Sequence, residues 1–356
     1  MNFKYIPEKI VRLGHSLQRN SFGYEYRGSK TLSINIISSP NGWILQKFAE
    51  ETVKAVADLG GTVQISEHFD SKKDINHYFL PNLEGMADER TTFMITHVFH
   101  EQYFRQIKNL TDKGAVGICM SRETRDKLVF WGLPQSKICY VNPAQDQQIK
   151  PAKIRLGFTN RTYHDNRKRD AMLVDICDCI DSRVFRFIIM GSGWDEIVGQ
   201  IRQKGFEVDY YPDFDKKKYN EIMPELDYYC YFGFDEGAMG FLDAQAAGIK
   251  TIVTPQGYHL DSLIPITYSV RTIYDIVNVL NEISRPVLDA MAFSERWTWK
   301  NYALKHMEIW SYLTGTITLD ELFSNRGWYE DGIYSLMVNS MSSKKHFSEK
   351  LSGRQN

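Results

Sequence analysis

Phe234-Asp235-Glu236-Gly237-Ala238-Met239-Gly240-Phe241-Leu242-Asp243-Ala244-Gln245-Ala246-Ala247-Gly248 is the stretch on which the fold turns. The apolar run just before it, Tyr228 to Phe232, reads as a buried strand. Ala244 to Ala247 are good helix formers, and Gly248 is placed to end that helix in a left-handed cap. A second apolar run, Ile249 to Thr254, follows at once. Strand, glycine-bearing loop, helix and strand make one parallel unit. Its loop aims free N–H groups and the positive end of a helix dipole at whatever sits above the strand's carboxyl end. Asp235 lies before the loop and Asp243 in the helix, a setting suited to an anionic ligand with a hydroxyl-rich neighbour.

The same grammar extends both ways. Towards the N-terminus, strands are predicted at 154–158, 185–190 and up to Tyr211. Helices are predicted at 168–180, 194–204 and 216–223, with Gly191-Ser192-Gly193 opening the second of them. Earlier still, strands at 32–38, 62–66, 92–98, 115–120 and 137–141 alternate with helices at 43–59, 101–112 and 121–131. The apolar positions Leu45, Phe48, Ala49, Thr52, Val56 and Leu59 fall at helical spacing. Towards the C-terminus, helices are predicted at 273–283, from Pro286 to Phe293 and at 299–313. The fold class is therefore α/β: two Rossmann-like, doubly wound domains facing a cleft. The expected boundaries are 1–146 for the first domain and 147–300 for the second. Residues 301–341 are expected to form a last helix and extension, and 342–356 a polar tail without fixed structure.

Composition narrows the function. The 356 residues carry a net charge of −1, so no basic field points to nucleic acid. The five cysteines fall mostly in apolar runs, as buried free thiols of a reducing compartment do. No signal peptide or spanning apolar run is evident, which predicts a cytoplasmic protein. Pro7 to Gln18 forms a basic amphipathic lead-in suited either to the domain edge or to peripheral contact with the inner face of a membrane. The turn at Ser39 to Gly42 is not a dinucleotide fingerprint.

The second half resembles the nucleotide-sugar-binding half of a GT-B glycosyltransferase, in particular the retaining family 4 type (glycosyl transferases group 1). That family carries Glu-x7-Glu, a glycine-rich loop and an Ala-rich helix ended by Gly; Asp235-x7-Asp243 and Gly248 stand in those places. Arg161 and Lys168 match its basic pair after the first strand of this domain, and Gly191-Ser192-Gly193 its glycine turn. Asn142-Pro143-Ala144-Gln145-Asp146 is similar to its segment before the linker. Phe293 to Trp299 is similar to the aromatic lead-in to its crossing helix. Both motif acids are one methylene shorter than Glu, and Glu236 stands beside Asp235. Which of the two neighbours holds the sugar stays open.

The resemblance implies a retaining transfer from a nucleoside-diphosphate sugar, UDP- or GDP-linked, to a glycan or lipid-linked acceptor in cell-surface polysaccharide synthesis. Arg161 and Lys168 would stabilise the leaving diphosphate. Backbone donors would come from Gly193 and from Gly237, Ala238, Met239 and Gly240, with Gly191 lining the same donor site. Asp243 would take the ribose, Tyr211 would lie by the base, and Asp235 or Glu236 would hold the sugar. His97, at the end of a first-domain strand beside His100, would contact the sugar. No metal or other cofactor is expected, since the cations already meet the phosphate charge. Asp213-x-Asp215 is read as a loop pair rather than a metal site. Two other readings stand beside this one: a nucleotide-sugar epimerase of GT-B fold, and a non-catalytic scaffold with a degenerate site.

Overall fold

The computed structural model describes residues 31–38, 43–79, 87–98, 100–318 and 321. The expected amphipathic lead-in and the polar tail lie outside them. The chain forms two compact units, one spanning Lys150–Phe293 and the other holding the described residues up to 149 together with those from 294 onwards.

In the second of these, strands β1 (Ser33–Ile37), β2 (Thr62–Ser66), β3 (Ile75–Tyr78), β4 (Thr91–Ile95), β5 (Val116–Cys119) and β6 (Ile138–Tyr140) build a sheet. It runs in the order β2-β1-β3-β4-β5-β6, with every neighbour parallel. Helices α1 (Trp43–Asp58), α2 (Glu101–Asp112) and α3 (Arg122–Phe130) supply the crossovers. Strand alternation sends Ile34 and Ile36 into one core and Ile37, Phe93 and Ile95 into the other. Ser121 caps α3 as expected, its hydroxyl accepting from the Thr124 amide at 3.1 Å.

Sequence reading misses β3, because its buried side chains are polar. Asn76 and His77 are fully buried yet paired: Asn76 accepts from Asn35 at 2.9 Å, and His77 Nδ1 meets the Thr92 hydroxyl at 2.8 Å.

The Lys150–Phe293 unit repeats the plan with β7 (Ile154–Phe158), β8 (Phe185–Met190), β9 (Glu207–Tyr211), β10 (Tyr228–Tyr231), β11 (Lys250–Val253) and β12 (Tyr268–Ser269). The order is β12-β11-β10-β7-β8-β9, again all parallel. Its helices are α4 (Met172–Cys177), α5 (Asp195–Gln203), α6 (Lys216–Ile222), α7 (Met239–Ala246) and α8 (Ile273–Arg296). Phe187 and Ile189 pack on one face of the sheet, Ile188 and Met190 on the other, so helices cover both faces.

Two helices depart from expectation. Helix α4 starts four residues late, because Asn166 and Arg169 sit at φ 56° and 57° and cannot continue a right-handed helix. Helix α8 runs unbroken through Pro286, where a break was expected. Proline removes the hydrogen bond to the carbonyl four residues back; that residue, Glu282, is exposed, and water can satisfy its carbonyl.

The last helix, α9 (Trp299–Leu313), packs into the core of the first sheet's unit. Trp299 meets Phe48 edge-on at 5.1 Å, and the Trp310 indole donates to the Thr92 hydroxyl at 3.0 Å. Among the described residues no helix is long and apolar enough to cross a membrane.

Candidate functional site

Strand order decides where a ligand can bind in the Lys150–Phe293 unit. From β7 the chain moves to β8 on one side, and from β10 it moves to β11 on the other. The crevice at the carboxyl ends of β7 and β10 is thus the topological switch point, the usual ligand seat of an open parallel sheet. Three loops meet there: 159–171 after β7, 191–194 after β8 and 232–238 after β10.

The loops lie close enough to exclude ordinary side chains. A Cβ on Gly191, at φ 141°, would stand 2.3 Å from the Asn160 carbonyl oxygen. The Gly191 amide donates to the Tyr211 carbonyl at 2.9 Å, which fixes the loop after β8 to the end of β9. The Thr162 amide and hydroxyl donate to the carbonyls of Ser192 and Gly193, both at 3.0 Å. A Cβ on Gly240 would stand 2.3 Å from the Thr159 hydroxyl, so the start of α7 rests against the loop after β7. The Phe234 amide donates to the Arg167 carbonyl at 2.7 Å and joins the first and third loops.

These joints bring Lys168 and Asp235 together. Lys168 Nζ lies 2.5 Å from Asp235 Oδ2 and donates to the Tyr231 hydroxyl at 2.6 Å. Tyr231 in turn donates to Asp235 Oδ1, which also accepts from the Gly237 amide at 3.2 Å. Burial alone would raise the Asp235 pKa; Lys168, Tyr231 and the Gly237 amide outweigh it and hold the carboxyl below the usual range. The Tyr231 phenol is driven far up, first by burial and then by Asp235, so it keeps its proton and acts as a donor. An ammonium has three donors. Two are committed here, which leaves one for a ligand.

Around this pair stand further cations. Arg161 Nε donates to the Tyr163 hydroxyl at 2.6 Å, and its guanidinium lies 4.7 Å from that ring. Arg167 stacks on the same ring at 3.9 Å. Arg169 covers Phe234 at 4.2 Å and donates to the Arg271 carbonyl at 2.9 Å, which holds its left-handed backbone. Asp170, beside Lys168, is pushed up to about 6, chiefly by burial, while the Asn160 amide donates to it at 2.9 Å.

Asp243 sits on α7, where its Oδ2 accepts from the Tyr219 hydroxyl at 2.6 Å. Of the four residues expected to offer backbone donors there, two are engaged within the chain. The Gly237 amide serves Asp235, and the Ala238 amide donates to His259 Nε2 at 3.0 Å. Met239 and Gly240 open α7, where amides have no acceptor inside the helix. Glu236 is exposed, and its side chain has no hydrogen bond or ion pair among the described residues.

His259 and Tyr231 escape sequence reading. His259 is buried; Nδ1 faces the Thr254 carbonyl at 3.1 Å while Nε2 accepts from Ala238, which fixes the neutral Nδ1–H form. Burial also lowers its pKa. Tyr231 looks like one more apolar strand residue; its place at the last position of a central strand was the only signal available.

His97 is exposed two residues past β4, in the other unit, and His100 caps α2 by accepting from the Tyr103 amide at 3.2 Å. Asp215 caps α6 by accepting from the amides of Lys217 and Lys218 at 2.8 and 3.0 Å, a structural use of that carboxylate.

No protein-family model matches the chain, and no curated protein matches it. Among solved structures it is similar to Anabaena HepE crystallised with UDP and glucose, at 12% identity over 79% of this chain and 99% of that one, with a TM-score of 0.32. It is also similar to a glycosyltransferase from Rickettsia africae, at 12% identity, 80% and 99% coverage and a TM-score of 0.34. Sucrose-phosphate synthase from Thermosynechococcus elongatus gives 11%, 80%, 100% and 0.31 for the same measures. At these values the activity has to be read from the site itself.

Proposed function

We propose that the chain is a GT-B glycosyltransferase of the retaining type, taking its sugar from a nucleoside-diphosphate donor. The observation that carries this reading is the cation cluster of Arg161, Arg167 and Lys168 at the carboxyl end of β7, set beside the acids that follow β10. A diphosphate leaving group gains negative charge as its bond to the sugar breaks. Planar guanidinium forks and an ammonium placed at that charge lower the barrier. The first-turn amides of α7 add donors of the same sign.

Asp243 keeps one carboxylate oxygen beyond the one that accepts from Tyr219, and takes the ribose hydroxyls with it. Tyr211 lies at the end of β9, where the base would rest. In retention of this kind the bond from the sugar to the diphosphate breaks, the acceptor oxygen bonds to the sugar on the same face, and the departing phosphate oxygen takes the acceptor's proton. No protein nucleophile is needed. The cations supply the charge a metal would otherwise bring, so the reaction is metal-independent in this reading. His97 is the residue taken, from the family resemblance, to contact the sugar. The donor is UDP- or GDP-linked, the acceptor a glycan or lipid-linked sugar, and the setting cell-surface polysaccharide synthesis at the cytoplasmic side, with peripheral contact to the membrane.

Arg161→Ala should lower turnover of the donor sugar at least a hundredfold, measured in excess chelator, with the fold intact by circular dichroism. Turnover within a few-fold of the wild type would remove Arg161 from the mechanism, and loss of wild-type activity in chelator would contradict the metal-free reading.

A further inference from the structure

We propose that Asp235 serves as the anchor of Lys168, and that its neighbour Glu236 is the carboxylate that meets the donor sugar. This assignment rests on the nucleotide-sugar reading above and divides the labour between its two adjacent acids.

The first support is the occupancy of Asp235. A carboxylate offers about four acceptor positions. Oδ2 is taken by Lys168 at 2.5 Å, and Oδ1 by the Tyr231 hydroxyl and by the Gly237 amide at 3.2 Å. Its side chain is 23% exposed and that of Lys168 12%. Three of the four positions are thus filled, and a sugar hydroxyl could reach only the one left on Oδ2, beside the Lys168 ammonium in a largely enclosed pair.

The second support is the state of Glu236. Its backbone is held, because its carbonyl accepts from the Tyr258 amide at 3.2 Å in the loop after β11. Its side chain is exposed and without a hydrogen bond or ion pair among the described residues. A fixed backbone with an uncommitted carboxylate, two residues before the N-cap of α7, can accept from sugar hydroxyls without giving up any bond of its own.

The third support is length. Asp235 reaches Lys168 directly from the end of β10, and the shorter acid suits an anchor set close to the strand. Lys168 then presents its remaining donor from a fixed position, whether or not a sugar is attached to the diphosphate. Asp235 is thus a positioning residue, while Glu236 contacts substrate.

The test compares UDP with UDP-glucose, and GDP with GDP-mannose, by titration calorimetry on the full chain. Glu236→Gln should leave affinity for the bare diphosphate within about twofold and weaken the sugar-linked form about tenfold. Asp235→Asn should change both affinities by the same factor, so that their ratio stays at the wild-type value. In a Lys168→Met background, Asp235→Asn should have no further effect on diphosphate affinity, because the effect passes through Lys168; a merely structural role would add independently. Selective loss of the sugar increment in Asp235→Asn, with Glu236→Gln unchanged, would overturn the assignment. Failure of all four probes to bind the wild type would contradict the nucleotide-sugar reading itself, and the assignment with it.

Discussion

Lys168→Met should cut turnover by at least two powers of ten while the protein still folds. Methionine keeps most of the apolar stem and removes only the ammonium. That group is held in place before any ligand arrives: Tyr231 and Asp235 fix two of its donors, and the chain around it is bound to the loops after β8 and β10. A preorganised charge of this kind acts mainly where charge develops in the transition state, and losing one such donor commonly costs a hundredfold or more. The variant tolerates its orphaned acid, since Asp235 keeps Tyr231 and the Gly237 amide and retains some contact with water. Turnover within threefold of the wild type, with unchanged unfolding, would show that the Lys168–Asp235 pair is structural.

Acid should unfold the unit built on the first sheet, beginning well above the range of ordinary carboxylates. His306 on α9 is fully enclosed, its Nδ1 bonded to the Tyr302 carbonyl at 2.9 Å and its ring 5.3 Å from that of His77. Burial holds the His306 pKa down at about 4, with Lys305 adding to the effect, while the unfolded chain protonates this ring near its ordinary value of 6.5. His77 is depressed in the same direction by burial and by its neighbour His306. Between those two values the unfolded state binds more protons than the folded one. The stabilisation is therefore complete above pH 6.5 and is lost as pH falls towards 4.

For His306 alone the gap corresponds to about 3 kcal/mol, a large share of a domain's net stability. Denaturant unfolding of the full chain should show most of that loss between pH 7 and pH 4.5. His306→Phe, which fills similar space without titrating, should show markedly less. Equal losses in the wild type and the variant would exclude His306 as the source.

Much of the framework was legible because periodicity and strand composition are local signals. Ile154–Phe158 and Phe185–Met190 read as strands, and Glu101–Asp112 and Trp299–Leu313 as helices, at the ends the structure gives them. Strand β3 was hidden because it buries polar Asn76 and His77, paired through Asn35 and the Thr92 hydroxyl, which no apolar pattern announces. Helix α4 was drawn too long because the left-handed backbone at Arg169 goes with contacts of its side chain to Arg271 and Phe234, far along the chain.

The same distinction holds at the site. Arg161, Lys168, Asp235 and Asp243 could be picked out individually as chemistry-bearing residues. That Lys168 would close on Asp235 could not, because the two meet only once β7 and β10 become neighbours. Tyr231 and His259, which hold the assembly in place, carry no spacing that marks them.

The central claim is that this crevice binds a nucleoside diphosphate, and thermal unfolding with saturating UDP, GDP, ADP, CMP or dTDP tests it most directly. A ligand that binds only the folded state stabilises it by about 2.7 kcal/mol at a hundredfold excess over its dissociation constant. UDP or GDP should raise the melting temperature by several degrees, and Lys168→Met should make the rise smaller at the same nucleotide concentration. No shift with any of the five nucleotides would contradict the claim.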